Sequence, residues 1–488
     1  MRTPVRLLCS RIAFNLLYLS ALTIALPWLF YRRCTTNRYR EGIRDKLFGI
    51  RKSDLRKPEG NEATALPSRN EDRRNENRRD EDGCDAPRSM QTVWMHGVSV
   101  GEIQLLASLY ESWYHQDPRL RFVISTTTDS GMALARKLFP DVSVTYFPFD
   151  FSWAVRSTLN VIRPDLIVLG ELELWPNLTS ISHQRHIPIA VVNGRLSEGS
   201  YRNYQRLSSL TRSMFSRLSF VGAQTDSYAQ RFADCGTGLD RIEVTGSIKF
   251  DNVEFDRQHA DVDQRRRSVG LTDANTTLVV GSTQNPEERA AVEAFLALRH
   301  QFPGLRLIVV PRHPDRFESV FNELKNLDVK LIRRSQLGVA IPVEDWEVLL
   351  VDTVGELRWW WGTADLAIVG GSFGTRGGQN MIEPAAFGAN LAFGPNTSNF
   401  RDVVTLLLEN EAAEVIPNLS QMQPWILDQL QRPKPGHVRA QNAIRTVKLQ
   451  QGATHRTIDS LKKLLIKNQS DPGSKLRSNT DSSPGKAA

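Results

Sequence analysis

From residue 91 onward the chain repeats one arrangement, a short apolar run followed by a longer amphipathic stretch. VWMH, FVIST, VTYFPF, LIVLGE, IPIAVVN and FVGAQ succeed one another up to about residue 224. The arrangement restarts after about residue 251 with TLVVGS, LRLIVVPRH, VKLIRR, VLLVD, LAIVGGS and LAFGP. Near-continuous β-branched runs separated by helical segments are the mark of parallel sheets covered on both faces. Two such series predict an α/β fold of two doubly wound, Rossmann-like domains, and 488 residues are too many for one ordinary core. In this architecture ligands bind beyond the carboxyl ends of strands, and two domains offer a cleft between them. The polar residues to weigh are therefore those that directly follow an apolar run.

The chain ahead of residue 91 is of another kind. From Ile12 to Tyr31 twenty residues carry no charge, bounded by Arg11 and by Arg32-Arg33. That length suits a helix crossing a hydrocarbon core of roughly 30 Å. Asn15, Ser20 and Pro27 weaken the span and keep a monotopic anchor as the alternative. A secretory signal fits less well, because the run is long for one and no A-x-A site follows. Three basic residues precede the run (Arg2, Arg6, Arg11), and eight follow closely: Arg32, Arg33, Arg38, Arg40, Arg44, Lys46, Arg51 and Lys52. The positive-inside rule then puts the bulk of the chain in the cytoplasm, with these cations against anionic lipid head groups. Much of the net charge of +8 sits here, which points to a membrane surface as the anionic partner.

Residues 52–90, with NEDRRNENRRDEDG at their centre, are too polar to bury a core and read as a disordered linker. Acidic residues interleaved among the arginines argue against a nucleic-acid arm. The expected divisions are 1–51 anchor and basic segment, 52–90 linker, 91–250 and 251–466 the two domains, and 467–488 a disordered tail. Cys9, Cys34, Cys84 and Cys235 lie far apart, without zinc or disulfide spacing, and no H-E-x-x-H or acidic cluster implies a metal.

Several polar residues pass the strand-end filter. In WMHGVSVGEIQ, Glu102 follows the first apolar run, either as a charge complementing the first turn of a helix or as a base at the end of a strand. His96 reads as a histidine satisfied behind the site. GELELWPN brings Glu171 and Glu173, of which one lines the cleft if the strand continues and sends alternate side chains to opposite faces. IEVTGSI leads into Lys249. A carboxylate base with a cation to steady developing charge suits transfer to a hydroxyl, and structural ion pairing is the alternative.

In the second series Pro311, Arg312 and His313 close a run in VPRHPDRF; an Arg forks onto a phosphate there, or pairs with Asp315. IVGGSFGTRGGQNMIEP is a glycine-rich turn that lets a ligand approach the backbone, with a helix beginning near Asn380 and Glu383 one turn in. Gly355, Glu356 and Leu357 mark another helix start, ahead of three tryptophans that read as core. Neither G-x-G-x-x-G, a P-loop nor G-x-S-x-G occurs, which disfavours dinucleotide, P-loop and serine-hydrolase chemistry.

Taken in order, HGVSVGE, ELELWPN, TGSIKFD, VPRHPDRF, GGQNMIEPAAFG and GPNTSNF resemble the 3-deoxy-D-manno-octulosonic acid (Kdo) transferases of lipopolysaccharide assembly, from about residue 93 to about residue 410. The apolar amino terminus followed by YREGIRDKLFG is similar to that family too. The resemblance implies a metal-independent, cofactor-free inverting glycosyltransferase of GT-B type at the inner membrane. It takes CMP-Kdo as donor and a lipid A precursor as acceptor. It implies Glu102 as general base, with Glu171 and Lys249 assisting the transition state. Pro311, Arg312 and His313, then Gly355, Glu356 and Leu357, then Asn380, Met381, Ile382 and Glu383 correspond to CMP-binding segments. The chain departs from the family pattern at Gln379, where histidine is usual, at Met381-Ile382, where Pro-Leu is usual, and at Gly97. A sugar-nucleotide epimerase on the same fold and a non-catalytic tethered binding protein are the competing expectations.

Overall fold

The computed structural model describes residues 14–16, 18–20, 23, 41–55, 90–251, 253–337 and 345–470. Contacts divide the chain into two compact units, residues 1–249 with 452–488, and residues 250–451.

The first unit carries β1 (Thr92–His96), β2 (Arg121–Thr126), β3 (Ser143–Tyr146), β4 (Leu166–Gly170), β5 (Ile189–Gly194), β6 (Phe220–Ala223) and β7 (Ile242–Val244). They form one parallel sheet in the order β3-β2-β1-β4-β5-β6-β7. Alternation along each strand feeds two cores. Trp94, Ile167, Leu169 and Val191 pack on one face, and Val93, Met95, Val168 and Val192 on the other. Helices cover both faces, which is why the central strands carry apolar residues on both faces rather than on one.

The second unit repeats the plan with β8 (Thr276–Thr283), β9 (Leu305–Pro311), β10 (Leu331–Arg333), β11 (Val348–Leu350), β12 (Leu366–Val369), β13 (Asn390–Phe393) and β14 (Glu414–Val415). Their order is β10-β11-β9-β8-β12-β13-β14, again parallel. Both sheets are thus doubly wound, as the two apolar series predict. In each, strand order reverses direction once, between β1 and β4 and between β8 and β12. Ligand crevices of open α/β sheets form at such switch points.

Three expectations need adjustment. The last helix, Ala453–Ser470, belongs to the first unit: Ala453, Ile458, Leu461 and Leu465 join the core that holds Val93, Met95 and Ile103. An amphipathic pattern shows that a helix has an apolar face, but not which sheet receives it. This helix also runs three residues past 467, into the expected tail. Of the basic residues assigned to lipid head groups, Lys46 is buried, with its ammonium 4.3 Å from the Tyr146 ring centroid. Most of the segment from Ile12 to Tyr31, and residues 56–89 of the expected linker, lie outside the described residues. Among those described, no helix is long and apolar enough to cross a membrane. Two polar residues of that segment meet the first unit. Asn15 bonds Ser152 and Asn177, and the Tyr18 hydroxyl donates to Asp150 at 3.1 Å.

Candidate functional site

The switch point of the first sheet gathers the first set of expected residues. Glu102 opens the helix Val100–Gln116 and closes a capping box with Ser99. The Glu102 amide donates to Ser99 Oγ at 3.2 Å, and the Ser99 hydroxyl donates back to Glu102 Oε1 at 2.9 Å. Val98 N–H donates to Oε2 at 2.9 Å. The helix-start role is therefore real, and its signal was the S-x-x-E spacing of SVGE. It does not make the carboxylate inert. Burial raises its pKa, the bonds from Val98 and Ser99 oppose that rise, and the charge of Glu171 adds to it. Gly97 and Gly170 make room beside it: a Cβ at Gly97 would stand 3.1 Å from Glu102 Cβ, and one at Gly170 3.7 Å from Glu102 Oε2. Gly101 faces open space, with only Ser99 Oγ within 4 Å of a Cβ added there.

β4 ends at Gly170, and Glu171 follows with φ +54, a left-handed turn that re-aims the chain. Lys249, in the turn Ile248–Phe250, donates to Glu171 Oε1 at 3.2 Å. Because the strand stops, the alternation that would have separated Glu171 from Glu173 does not apply. Glu173 also has a raised pKa, through burial and then the charge of Glu102, while a 3.0 Å bond from Trp175 Nε1 opposes the rise. Three carboxylates and one ammonium thus share the switch point. The sequence contained Glu173, but only the end of β4 shows that it stays in the group.

His96 is buried behind them, its ring stacked on Phe147 at 3.7 Å between centroids and its Nδ1 3.0 Å from Ser125 O. Burial pushes its pKa down to about 3, so it is neutral and not a base at physiological pH. Asp150 is buried too. It accepts from Asn177 N–H and Leu178 N–H, 2.8 Å each, at the start of the helix Pro176–Gln184, and burial lifts its pKa to about 7.

The second unit assembles the other set around its own switch point. Arg312 and His313 stand exposed just beyond Pro311, the last residue of β9, and Arg312 N–H donates to Thr283 O at 3.1 Å. Beyond β12, Gly371, Gly377 and Gly378 have φ of +65, +82 and +80, which only glycine adopts freely. A buried carboxylate holds this loop. Glu287 accepts from Gly371 N–H at 2.7 Å and Gln284 N–H at 2.8 Å on one oxygen, and from Phe373 N–H at 3.2 Å on the other. Nothing in QNPEE marks Glu287, because its partner loop lies some 85 residues away in the sequence.

Gly355 has φ +87, and Glu356 is fixed by the Arg334 guanidinium through bonds of 2.8 and 3.1 Å, with Arg265 at 3.5 Å. Trp360 and Trp361, after Leu357, are core residues as expected, and Trp359 stacks on His259. The helix expected near Asn380 runs from Ile382 to Ala386, and Asn380 Oδ1 accepts from Ile382 N–H at 3.0 Å. Burial raises the pKa of Glu383, while Arg358 and Asn380 oppose the rise. Met381 and Ile382 bury their side chains in the core with Val369 and Leu391. Among the described residues no cluster of His, Cys, Asp and Glu is placed to hold a metal ion.

Comparison with known proteins bears on this geometry. A family model described as 3-deoxy-D-manno-octulosonic-acid transferase (kdotransferase) matches residues 68–252. The chain is 31% identical over 380 residues to the 3-deoxy-D-manno-octulosonic acid transferase of Haemophilus influenzae, covering 78% of this chain and 88% of that protein. It is 32% identical over 393 residues to the Bordetella pertussis protein of the same name, covering 78% and 89%. Among solved structures, a putative UDP-N-acetylglucosamine 2-epimerase from Listeria monocytogenes aligns with a TM-score of 0.51. That match covers 78% of this chain and 98% of the other at 12% identity, a likeness of fold alone.

Proposed function

The chain belongs to the Kdo transferase family, and from that premise we propose that it moves Kdo from CMP-Kdo to a lipid A precursor with inversion at the anomeric carbon. The observation that carries this reading is the group formed by Glu102, Glu171, Glu173 and Lys249 at the switch point of the first sheet. A carboxylate with a raised pKa is a competent proton acceptor near neutral pH. Glu102 takes the proton of an acceptor hydroxyl as its oxygen forms a bond to the anomeric carbon. The bond from that carbon to the phosphate oxygen breaks, and CMP leaves with the electron pair. Lys249, held by Glu171, supplies positive charge to the reacting region. In the second unit Arg312 and His313 are suited to the phosphate of CMP, and Glu383 with the glycine loop to its nucleoside. No step calls on a metal ion or other cofactor.

The acceptor favours an anchored enzyme, since confinement to one surface raises the effective concentration of both reactants. The apolar run at the amino terminus and the basic residues after it support an anchor, with the catalytic units on the cytoplasmic face of the inner membrane. The bonds of Asn15 and Tyr18 to the first unit favour its monotopic form, because they tie polar side chains to a water-facing domain.

Incubation with CMP-Kdo, with and without lipid A precursor, tests the reading by mass spectrometry of both substrates. Acceptor-dependent addition of Kdo is expected. Conversion of a nucleotide sugar without acceptor would instead identify an epimerase, and no reaction with either would leave a binding protein.

A further inference from the structure

At the amino ends of β5, β6 and β7, the end of the sheet away from Glu102 and Glu171, the first unit holds a cavity of about 650 Å³. That is the size of a small-molecule site, which ranges over ~300–1,000 Å³. Ile187, Phe220 and Leu464 give it apolar lining, and cations from separate elements complete it.

Arg217, just ahead of β6, is the informative one. Its guanidinium is half-buried, burial lowers its pKa, and among the described residues no carboxylate offsets that effect. Charged groups withdrawn from water are ordinarily paired. Around it the same sign accumulates. His183 is held below its ordinary pKa first by burial and then by Arg217, His186 and Arg241. Lys463 lines the cavity from the last helix. The lining also holds two carboxylates, and among the described residues neither is paired with Arg217. Glu243 accepts from Ser460 Oγ at 2.6 Å, and Asp240 stands 3.9 Å from Arg241. Arg241 is itself pinned by bonds of 3.2 Å to the carbonyls of Ser216 and Leu218, so its charge is pre-positioned.

Cations at helix ends complement helix dipoles, but that effect falls off within the last turn. Arg217 follows the helix Ser208–Phe215 by two residues and so complements that helix end as well, but a helix end supplies no counter-ion for a half-buried guanidinium. A dianion facing a guanidinium fork and further cations does account for it, and apolar lining residues suit the organic part of an ester. We propose that this cavity binds a phosphate monoester, with the phosphate on Arg217, Lys463 and Arg241 and the organic part against Ile187, Phe220 and Leu464. The ester is either a soluble metabolite or a lipid head group.

Isothermal titration of the full-length chain in detergent tests the proposal with two probes. Glycerol 3-phosphate represents the soluble source, and dihexanoyl phosphatidic acid below its micellar concentration represents the lipid. At least one probe should bind, and the tighter one identifies the source. Arg217→Gln and Lys463→Gln, on separate elements, should each weaken that binding at least tenfold, whereas Arg312→Ala in the other unit leaves it unchanged. The absence of binding by both probes at millimolar concentration would overturn the proposal. So would loss below twofold in both cavity variants, or a loss that follows Arg312→Ala.

Discussion

The carboxylate of Glu102 accepts three hydrogen bonds, from Val98 N–H, Ser99 N–H and the Ser99 hydroxyl, and still has a raised pKa. Burial outweighs the bonds, and Glu171 reinforces it. A general base works only when deprotonated, so kcat/KM should fall as pH drops through this raised value, with a limb above the ordinary carboxylate range. Glu171→Gln removes a charge that raises it, so the acid limb should move to lower pH in that variant. A limb that stays put or moves upward would separate Glu102 from the profile. Most of this group was legible one residue at a time, because Glu102, Glu171 and Lys249 each follow an apolar run. Glu173 was not, since its place depends on β4 stopping at Gly170. Met381 and Ile382 show a related point: a motif marks a stretch of backbone and does not say which of its side chains turn into the core.

The strands were the most legible elements, because burial on both faces makes each a continuous apolar run with polar residues at its end. Edge strand β14, Glu414–Val415, has only two residues and no such run, so it leaves no mark in the sequence. Long-range tethers are equally silent in sequence, and Glu287 shows what they do. Its two oxygens accept backbone N–H groups from both sides of the second switch point. Glu287→Gln puts an N–H donor against one of these N–H groups, which costs about 1–3 kcal/mol. The glycine loop should loosen, and the Kd for CMP should rise roughly 5–150-fold, the equivalent of that cost. Calorimetric titration with CMP measures it. An unchanged Kd would mean that the loop's shape does not depend on this carboxylate or that CMP does not use the loop.

Two units of the same doubly wound plan each carry polar residues at the switch point of their sheet, and the plan follows from two series of apolar runs. The return of the last helix to the first unit was hidden, because an apolar helix face is compatible with either sheet. At the amino terminus, a chain starting at residue 41 should lose most of its binding to anionic vesicles in a flotation assay. Undiminished binding would move the membrane contact to the folded units. Kdo transfer, and the proposed part of Glu102 in it, can be read together. Mass spectrometry of lipid A precursor incubated with CMP-Kdo and either the native chain or Glu102→Gln tests it most directly. The native chain should add Kdo to the lipid, and Glu102→Gln should transfer about 10²–10⁴-fold more slowly while binding CMP-Kdo equally well. Transfer by Glu102→Gln within a few-fold of the native rate would contradict the account.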